Sequence, residues 1–259
     1  MTVGLALQLA SGERTGVITA EVARGIEHGR QQVGALIAGN KVVYGINTGF
    51  GPLCTTRISD EETRKLQINL LKSHSVGVGE PVDPQIAQLM MILKVHALAK
   101  GYSGIAPATI ERIIWHIDNN VVPVVPSQGS VGASGDLAPL SHLFLPLIGE
   151  GKVWFEGEVF AAAEILKRFG LMPVELGAKE GLALINGTQF IAAHAVKLIE
   201  RLQNCLDSAD IIAAMNLEAM LGSVKTFRPE LHDIRPFAGS VYVASRMRAM
   251  LEPSQIVQS

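Results

Sequence analysis

Apolar residues recur every three to four positions along much of the chain, the spacing that places them on one face of an α-helix. The pattern predicts a helix over residues 19–39, where Gly39 is a usual C-terminal signal. It predicts another over residues 59–74, where Ser59 and Glu62 have the spacing of a capping box. Both segments are therefore expected to form amphipathic helices that bury one face.

Two further helices are predicted from their boundary residues as well as their periodicity. Residues 83–101 begin with Asp83 as a cap and Pro84 at the first helical position. Residues 106–123 carry a second amphipathic pattern, which is halted before Pro123. Helices are thus expected to dominate the first half of the chain.

The second half contains one unusually long periodic segment and the clearest strand signal. No Pro or Gly interrupts the chain from Thr188 to Leu221, which predicts a helix longer than those of ordinary globular domains. Strand signals are few: residues 41–46, and residues 151–160, which indicate a hairpin around Glu156 and Gly157. The predicted fold class is mainly α with short strands.

Composition excludes several classes of partner. The 259 residues are 48% hydrophobic and 18% charged, with a formal net charge of −2, typical of a globular protein of one or two domains. A pI near 6.4 and the lack of a Lys/Arg cluster argue against nucleic-acid or anionic-membrane binding and favour a small-molecule partner. The apolar run 137–148 is too short to span a bilayer, and the N-terminus has no secretory pattern. Two distant cysteines, Cys54 and Cys205, fit a reducing cytoplasm.

The segment GSVGASGDLAP, residues 129–139, is the strongest candidate for chemistry. It lacks the lysine of a phosphate-binding loop and the spacing of a nucleophile elbow. One interpretation is a loop whose Asp136 caps the next helix. Another uses the backbone: in a tight turn the nitrogen of Gly135 can attack the carbonyl carbon of Ala133, and loss of the Ser134 hydroxyl then leaves an electrophilic methylidene group.

Four segments together carry a resemblance to a known family. Residues 129–142 resemble the signature of the aromatic amino acid ammonia-lyases, in which Ala-Ser-Gly cyclises to 4-methylidene-imidazol-5-one (MIO). Residues 42–53, 66–81 and 182–190 are similar to three more motifs of that family, in the same order. The resemblance implies the L-aspartase/fumarase-like superfamily. In that fold residues 1–187 would form a helical MIO-bearing domain, and residues 188–259 would begin a central bundle of long helices.

Residue roles follow from the same resemblance. Tyr44 matches the tyrosine that removes the β-proton of the substrate, and Asn186 matches an asparagine beside the prosthetic ring; Asn186 also suits the N-cap of the long helix. A lone histidine is more often structural, but Ser73 and His74 match the two positions at which the family selects its substrate. The Ser-His sequence at these positions resembles that of members that act on histidine. Asp136 either supports ring closure or caps its own helix.

The implied reaction is elimination of ammonia from L-histidine to give trans-urocanate, with MIO made from Ala133, Ser134 and Gly135 and with no metal. The resemblance leaves open whether the methylidene carbon bonds to the substrate's amine or to its ring. It also leaves open a lyase or aminomutase for another aromatic amino acid.

The chain has about half the length of the family's enzymes, which form tetramers with shared active sites. Their later half contains a further tyrosine and the arginine that pairs with the substrate carboxylate. We therefore expect a homo-oligomer or a complementary C-terminal half as partner, and an inactive isolated chain. A catalytically silent assembly module is the remaining alternative.

Overall fold

The computed structural model describes residues 1–39, 43, 45–46, 48 and 60–257, with residues 60 and 61 described by their backbone alone. The described part is mainly α-helical, as predicted. Its α-helices are α1 (Val3–Ala10), α2 (Ala20–Ala38), α3 (Asp60–His74), α4 (Pro84–Leu98), α5 (Pro107–Asp118), α6 (Leu137–Phe144), α7 (Ala162–Arg168), α8 (Glu180–Ile185), α9 (Gln189–Ala219), α10 (Pro229–Asp233) and α11 (Ala238–Leu251).

Helix starts follow the local signals where these can be compared. The hydroxyl of Thr19 accepts a hydrogen bond from the Val22 amide at the start of α2, at 3.3 Å. Asp83 caps α4 in the same way, accepting from the Gln85 amide at 2.8 Å. The predicted cap Ser59 of α3 lies outside the described residues. Helix α5 ends before Pro123 is reached, because Asn120 adopts a left-handed φ of 52°.

The strands are short and antiparallel. Strand β1 (Val78–Pro81) pairs with β3 (Pro126–Gln128), and a three-stranded sheet has the order β2 (Val122–Pro123), β4 (Lys152–Phe155), β5 (Glu158–Ala161). The predicted hairpin is confirmed: Glu156 and Gly157 have φ values of 52° and 85°, the left-handed pair of a tight β-turn. The predicted strand 41–46 lies largely outside the described residues.

The chain divides into two compact units, residues 1–197 and 198–259. In the first unit, helices α3, α6 and α8 pack against one another, and α4 packs against α1, α5 and α6. Leu89, Met90 and Met91 of α4 are among its most deeply buried side chains. This packing buries the C-terminal part of the segment 129–139, from Asp136 onward, whereas residues 131–134 are exposed.

The second unit joins the C-terminal part of α9 to α11. Arg246 forms ion pairs with Asp207 at 2.6 Å and with Asp210 at 2.8 Å. The apolar side chains of α9 at Leu198, Leu202 and Leu206 recur every four residues and are exposed. This face of the helix therefore has no apolar partner within the described part of the chain. Assignment of residues 1–187 and 188–259 to two functional domains stays a prediction.

One buried histidine couples the stability of the first unit to pH. His116 is 2% exposed, and its Nδ1 pairs with the carbonyl oxygen of Val121 at 3.0 Å. Burial lowers the pKa of His116 to about 4, with a smaller contribution from the Arg112 charge. As pH falls from 7 towards 5, His116 therefore becomes protonated in the unfolded chain, where its pKa is near 6.5, but stays mostly neutral in the folded chain.

We expect the free energy of unfolding to fall by about 2 kcal/mol from this residue between pH 7 and pH 5, because protonation at His116 favours the unfolded state. The measurement is urea unfolding at several pH values for the wild type and for His116→Phe, which cannot titrate. The difference in slope between the two proteins isolates the contribution of this histidine. Equal slopes would contradict the assignment.

Candidate functional site

The predicted Ala-Ser-Gly turn has a strained backbone at the surface of the first unit. Ser134 has a φ of 58° and Gly135 a φ of 94°. Ala133 and Ser134 are exposed, whereas Asp136 is completely buried. A left-handed conformation at a non-glycine residue costs about 1–3 kcal/mol and is held only where surrounding contacts enforce it. The turn is thus anchored at one end and open to solvent at its centre.

The anchor is a backbone contact with the segment that follows α8. Gly135 and Gly187 form a parallel β-bridge, and the Asp136 amide donates to the Gly187 carbonyl oxygen at 2.7 Å. A Cβ built on Gly135 would overlap that oxygen and lie 2.7 Å from the carbonyl carbon of Gly187. Only glycine therefore fits at position 135. Two motifs that are distant in sequence meet here through their backbones.

Asp136 has a different role from the cap suggested by its sequence position. It precedes α6, but its side chain makes no capping hydrogen bond to that helix. Instead its Oδ2 accepts from the amides of Phe190 and Ile191, at 3.0 and 3.1 Å, in the first turn of α9. Its Oδ1 accepts from the Ser130 hydroxyl at 2.8 Å. The carboxylate thus caps α9 from outside and links it to the turn.

The prediction that Asn186 caps the long helix is wrong. Helix α9 begins at Gln189, and Asn186 is instead the C-cap of α8, with an extended backbone. Its side-chain Nδ2 donates to the carbonyl oxygen of Leu182 at 3.1 Å. Asp136 caps α9 instead, because the folded chain brings its carboxylate to the free amides at the start of that helix.

Three predicted residues share one cavity of about 500 Å³: Ser134, Asn186 and His74. The Nδ1 atom of His74 lies 2.9 Å from the Leu70 carbonyl oxygen, so a proton on Nδ1 leaves Nε2 as the nitrogen available to a ligand. Ser73 does not line the cavity, and its hydroxyl donates to the same carbonyl at 3.2 Å. The predicted base Tyr44 lies outside the described residues.

The cavity wall includes three polar residues that the sequence analysis did not single out, Tyr102, Ser103 and Lys179. Lys179 has a left-handed φ of 69°, and its Nζ donates to the Ser103 carbonyl oxygen at 2.8 Å. Partial burial lowers the pKa of Lys179. Tyr102 is almost completely exposed at the rim. A partly buried lysine with a strained backbone beside this cavity is a feature that only the folded chain reveals.

The sequence analysis did not single out Lys94 either, although it is a charged residue inside the apolar segment QLMMILKVHAL, residues 88–98. It is 2% exposed, and its Nζ donates to the carbonyl oxygen of Asn186 at 2.7 Å. Burial lowers the pKa of Lys94 to about 7. The ammonium group thus ends directly behind the cavity wall.

A larger cavity of about 850 Å³ lies between the N-terminal segment and helices α4 and α5, and none of the predicted site residues line it. Across the described ranges, no cluster of three or more His, Cys, Asp or Glu side chains suits a metal ion. Nor does any helix in those ranges combine the length and hydrophobicity needed to cross a membrane.

Comparison with known proteins gives a consistent result. The profile of the family described as aromatic amino acid lyase matches residues 1–259. The chain is 46% identical over 253 residues to a histidine ammonia-lyase of Myxococcus xanthus, covering 98% of this chain and 50% of that protein. The chain therefore spans about half the length of this curated relative.

Solved structures show the same relationship in three dimensions. A histidine ammonia-lyase from Trypanosoma cruzi has a TM-score of 0.90 at 37% identity, covering 100% of this chain and 51% of its own. A tyrosine aminomutase from Streptomyces globisporus has a TM-score of 0.91 at 34% identity, covering 99% of this chain and 48% of its own. The similarity extends over almost all of this chain in both comparisons.

Proposed function

The chain belongs to the aromatic amino acid lyase family, and we propose that it is the N-terminal portion of a histidine ammonia-lyase that converts L-histidine to ammonia and trans-urocanate. The observation that carries this proposal is the shared cavity of Ser134, Asn186 and His74, beside the close Gly135–Gly187 backbone contact. The similarity to histidine ammonia-lyases supports the choice of substrate.

The turn fits the self-formed MIO group that the family implies. Ring closure joins the Gly135 nitrogen to the Ala133 carbonyl carbon with loss of one water, and elimination of the Ser134 hydroxyl with its α-proton releases a second. The absence of a side chain at Gly135, its contact with Gly187 and the exposure of Ser134 all favour this reaction. MIO would supply an electrophile that no ordinary side chain provides.

The other residues of the site would bind and orient the substrate. Nε2 of His74 is available to hydrogen-bond the imidazole ring of a substrate, whereas a phenyl ring has no nitrogen with which to form this hydrogen bond. The Asn186 side chain lies on the cavity wall, where it can contact a bound substrate. Tyr44 stays the predicted acceptor of the β-proton, with its phenol needing a lowered pKa to act as a base.

Completion of the site by further chain is part of the proposal. The exposed apolar side chains of α9 support packing against other long helices, either from a homotetramer or from a complementary C-terminal half. We assign the carboxylate-binding arginine to that half and expect this chain to be inactive alone. The free, exposed Cys205 supports a reducing, cytoplasmic location.

An aminomutase acting on another aromatic amino acid is the second candidate, favoured by the similarity to tyrosine aminomutase. The two activities differ in product: a lyase releases an unsaturated acid and ammonia, whereas an aminomutase returns the amine to the β-carbon. An assembly module without catalytic function would form neither product.

The test combines intact mass with turnover. We expect purified chain to weigh less than its sequence by two water molecules, and a peptide map to locate the loss in residues 129–140. We expect no urocanate from the chain alone, and urocanate after a complementary C-terminal half is added. Urocanate from the isolated chain would contradict the expected inactivity. A β-amino acid product would favour the aminomutase, and no turnover after complementation would favour the assembly module.

A further inference from the structure

Lys94 is a charged residue in one of the most apolar parts of the fold. It belongs to α4, whose side chains Met90, Met91 and Leu98 are each at most 1% exposed. Within the described part of the chain no carboxylate pairs with its ammonium group. Burial of an unpaired ammonium destabilises a fold, and an apolar side chain of similar length would avoid that cost. Packing alone therefore does not explain a lysine at this position.

The hydrogen bond of Lys94 ends on one specific peptide group. Its Nζ donates at 2.7 Å to the carbonyl oxygen of Asn186, and that carbonyl is bonded to the nitrogen of Gly187. The Gly187 nitrogen lies 2.8 Å from the position that a Cβ on Gly135 would occupy. The peptide group held by Lys94 is thus part of the backbone that lies closely against Gly135 of the turn.

The same segment is held at its other end by Asp136. The Gly187 carbonyl oxygen accepts from the Asp136 amide at 2.7 Å, and the carboxylate of Asp136 binds the first amides of α9. Two buried charged residues, one on each side, therefore restrain rotation of the peptides around Gly187. Asp136 lies in the turn itself, whereas Lys94 is on a helix remote in sequence, and its hydrogen bond goes to Asn186 rather than to residues 133–135.

We propose that Lys94 is a positioning residue for MIO formation: it fixes the Asn186–Gly187 peptide and through it holds Gly135 close to the Ala133 carbonyl carbon. This inference rests on the proposed function, because ring closure is the step that the restraint serves. Lys94 touches neither the substrate nor the reacting atoms. Its effect is on the geometry of the turn before the ring closes.

The choice of lysine follows from this requirement. The Lys94 amino group carries hydrogens to donate in both protonation states, so its hydrogen bond to the Asn186 carbonyl is compatible with the lowered pKa, and it is stronger while the group is charged. Methionine in its place would fill similar space but would leave the Asn186 carbonyl free to rotate. Lys94→Met is therefore expected to keep the fold and lose the restraint.

The experiment compares the wild type, Lys94→Met and Met91→Leu, all as the 259-residue chain. Met91 is a matched control, because it is buried on the same helix and its side chain has no hydrogen to donate to the Asn186 carbonyl. We expect Lys94→Met to show at least a tenfold lower rate of two-water loss, followed by mass spectrometry after synthesis. Its thermal unfolding midpoint should stay within a few degrees of the wild type, and Met91→Leu should mature normally.

Amide hydrogen exchange supplies a readout that does not depend on ring closure. We expect the Asp136 amide to exchange at least tenfold faster in Lys94→Met, with the β4–β5 amides unchanged. Should the methionine variant not fold, Lys94→Gln, whose shorter amide stops short of the Asn186 carbonyl, is expected to give the same results. A normal rate of maturation in a folded variant would overturn the inference.

Failure of the proposed function gives a different pattern. If the wild-type chain shows no two-water loss, self-maturation of this chain is refuted, and the exchange experiment alone tests Lys94. Selectively faster exchange at Asp136 would then support the restraint by Lys94, whereas equal exchange in the two proteins would overturn it.

Discussion

Gly135→Ala is expected to retain the mass of the unmodified chain, because the added Cβ would occupy the position of the Gly187 carbonyl oxygen. The two backbones must separate to admit it, which moves the Gly135 nitrogen away from the carbonyl it attacks. The φ of 94° adds strain for any residue with a side chain. Together these effects should lower the free energy of unfolding by about 2–4 kcal/mol. Intact mass and urea unfolding measure the two outcomes.

Gly132→Ala is the matched control for this variant. Gly132 lies in the same loop with a φ of 70°, but a Cβ there would have no atom within 4 Å. This variant should lower the free energy of unfolding by about 1 kcal/mol, from backbone strain alone, and should still lose two water molecules. A Gly135→Ala chain that matures like Gly132→Ala would show that contact with Gly187 is not needed for ring closure.

Replacement of Asp136 is expected to have the largest effect on stability. Asp136→Ala leaves the Phe190 and Ile191 amides and the Ser130 hydroxyl without their buried acceptor. We expect the free energy of unfolding to fall by about 3–5 kcal/mol. We also expect little or no loss of the two water molecules, because α9 is no longer bound to the Asp136 carboxylate of the turn. The measurements are urea unfolding and the peptide map over residues 129–140.

Asp136→Asn separates the charge from the hydrogen bonds. An asparagine can still accept from the two amides with its oxygen while its nitrogen donates to Ser130. We therefore expect the free energy of unfolding to fall by only about 1–2 kcal/mol. Asp83→Asn is the matched control, because Asp83 is an exposed cap on α4 that does not contact the turn. Similar losses of stability for Asp136→Asn and Asp83→Asn would refute a role for Asp136 beyond ordinary capping.

The fold was predictable from sequence wherever local signals decide it. Thr19 and Asp83 start helices because their side chains reach backbone amides two or three residues away. Glu156 and Gly157 form the hairpin turn because the turn needs two left-handed residues. The long helix α9 followed from an uninterrupted periodic segment. All these interactions lie within one element or one turn.

The candidate site was predictable only in part. The Ala-Ser-Gly stretch, Asn186 and His74 stood out by their motifs, and the folded chain brings Ser134, Asn186 and His74 to one cavity. Asp136 stood out in the same stretch, but its contacts with α9 did not, since no local signal pairs it with amides more than fifty residues away. The positions of Lys179 and Lys94 at and behind the cavity wall carried no motif at all.

By itself the sequence determined the family and the helical fold class and singled out the residues proposed to form an electrophile, because these depend on residue types and on spacings along the chain. Only the tertiary structure decided that Gly135 meets Gly187, that Asp136 caps α9 and that Lys94 holds the Asn186 carbonyl. Each of these is a contact between segments far apart in sequence. Their geometry is set by the packing of α3, α4, α6 and α8, and no local propensity encodes it.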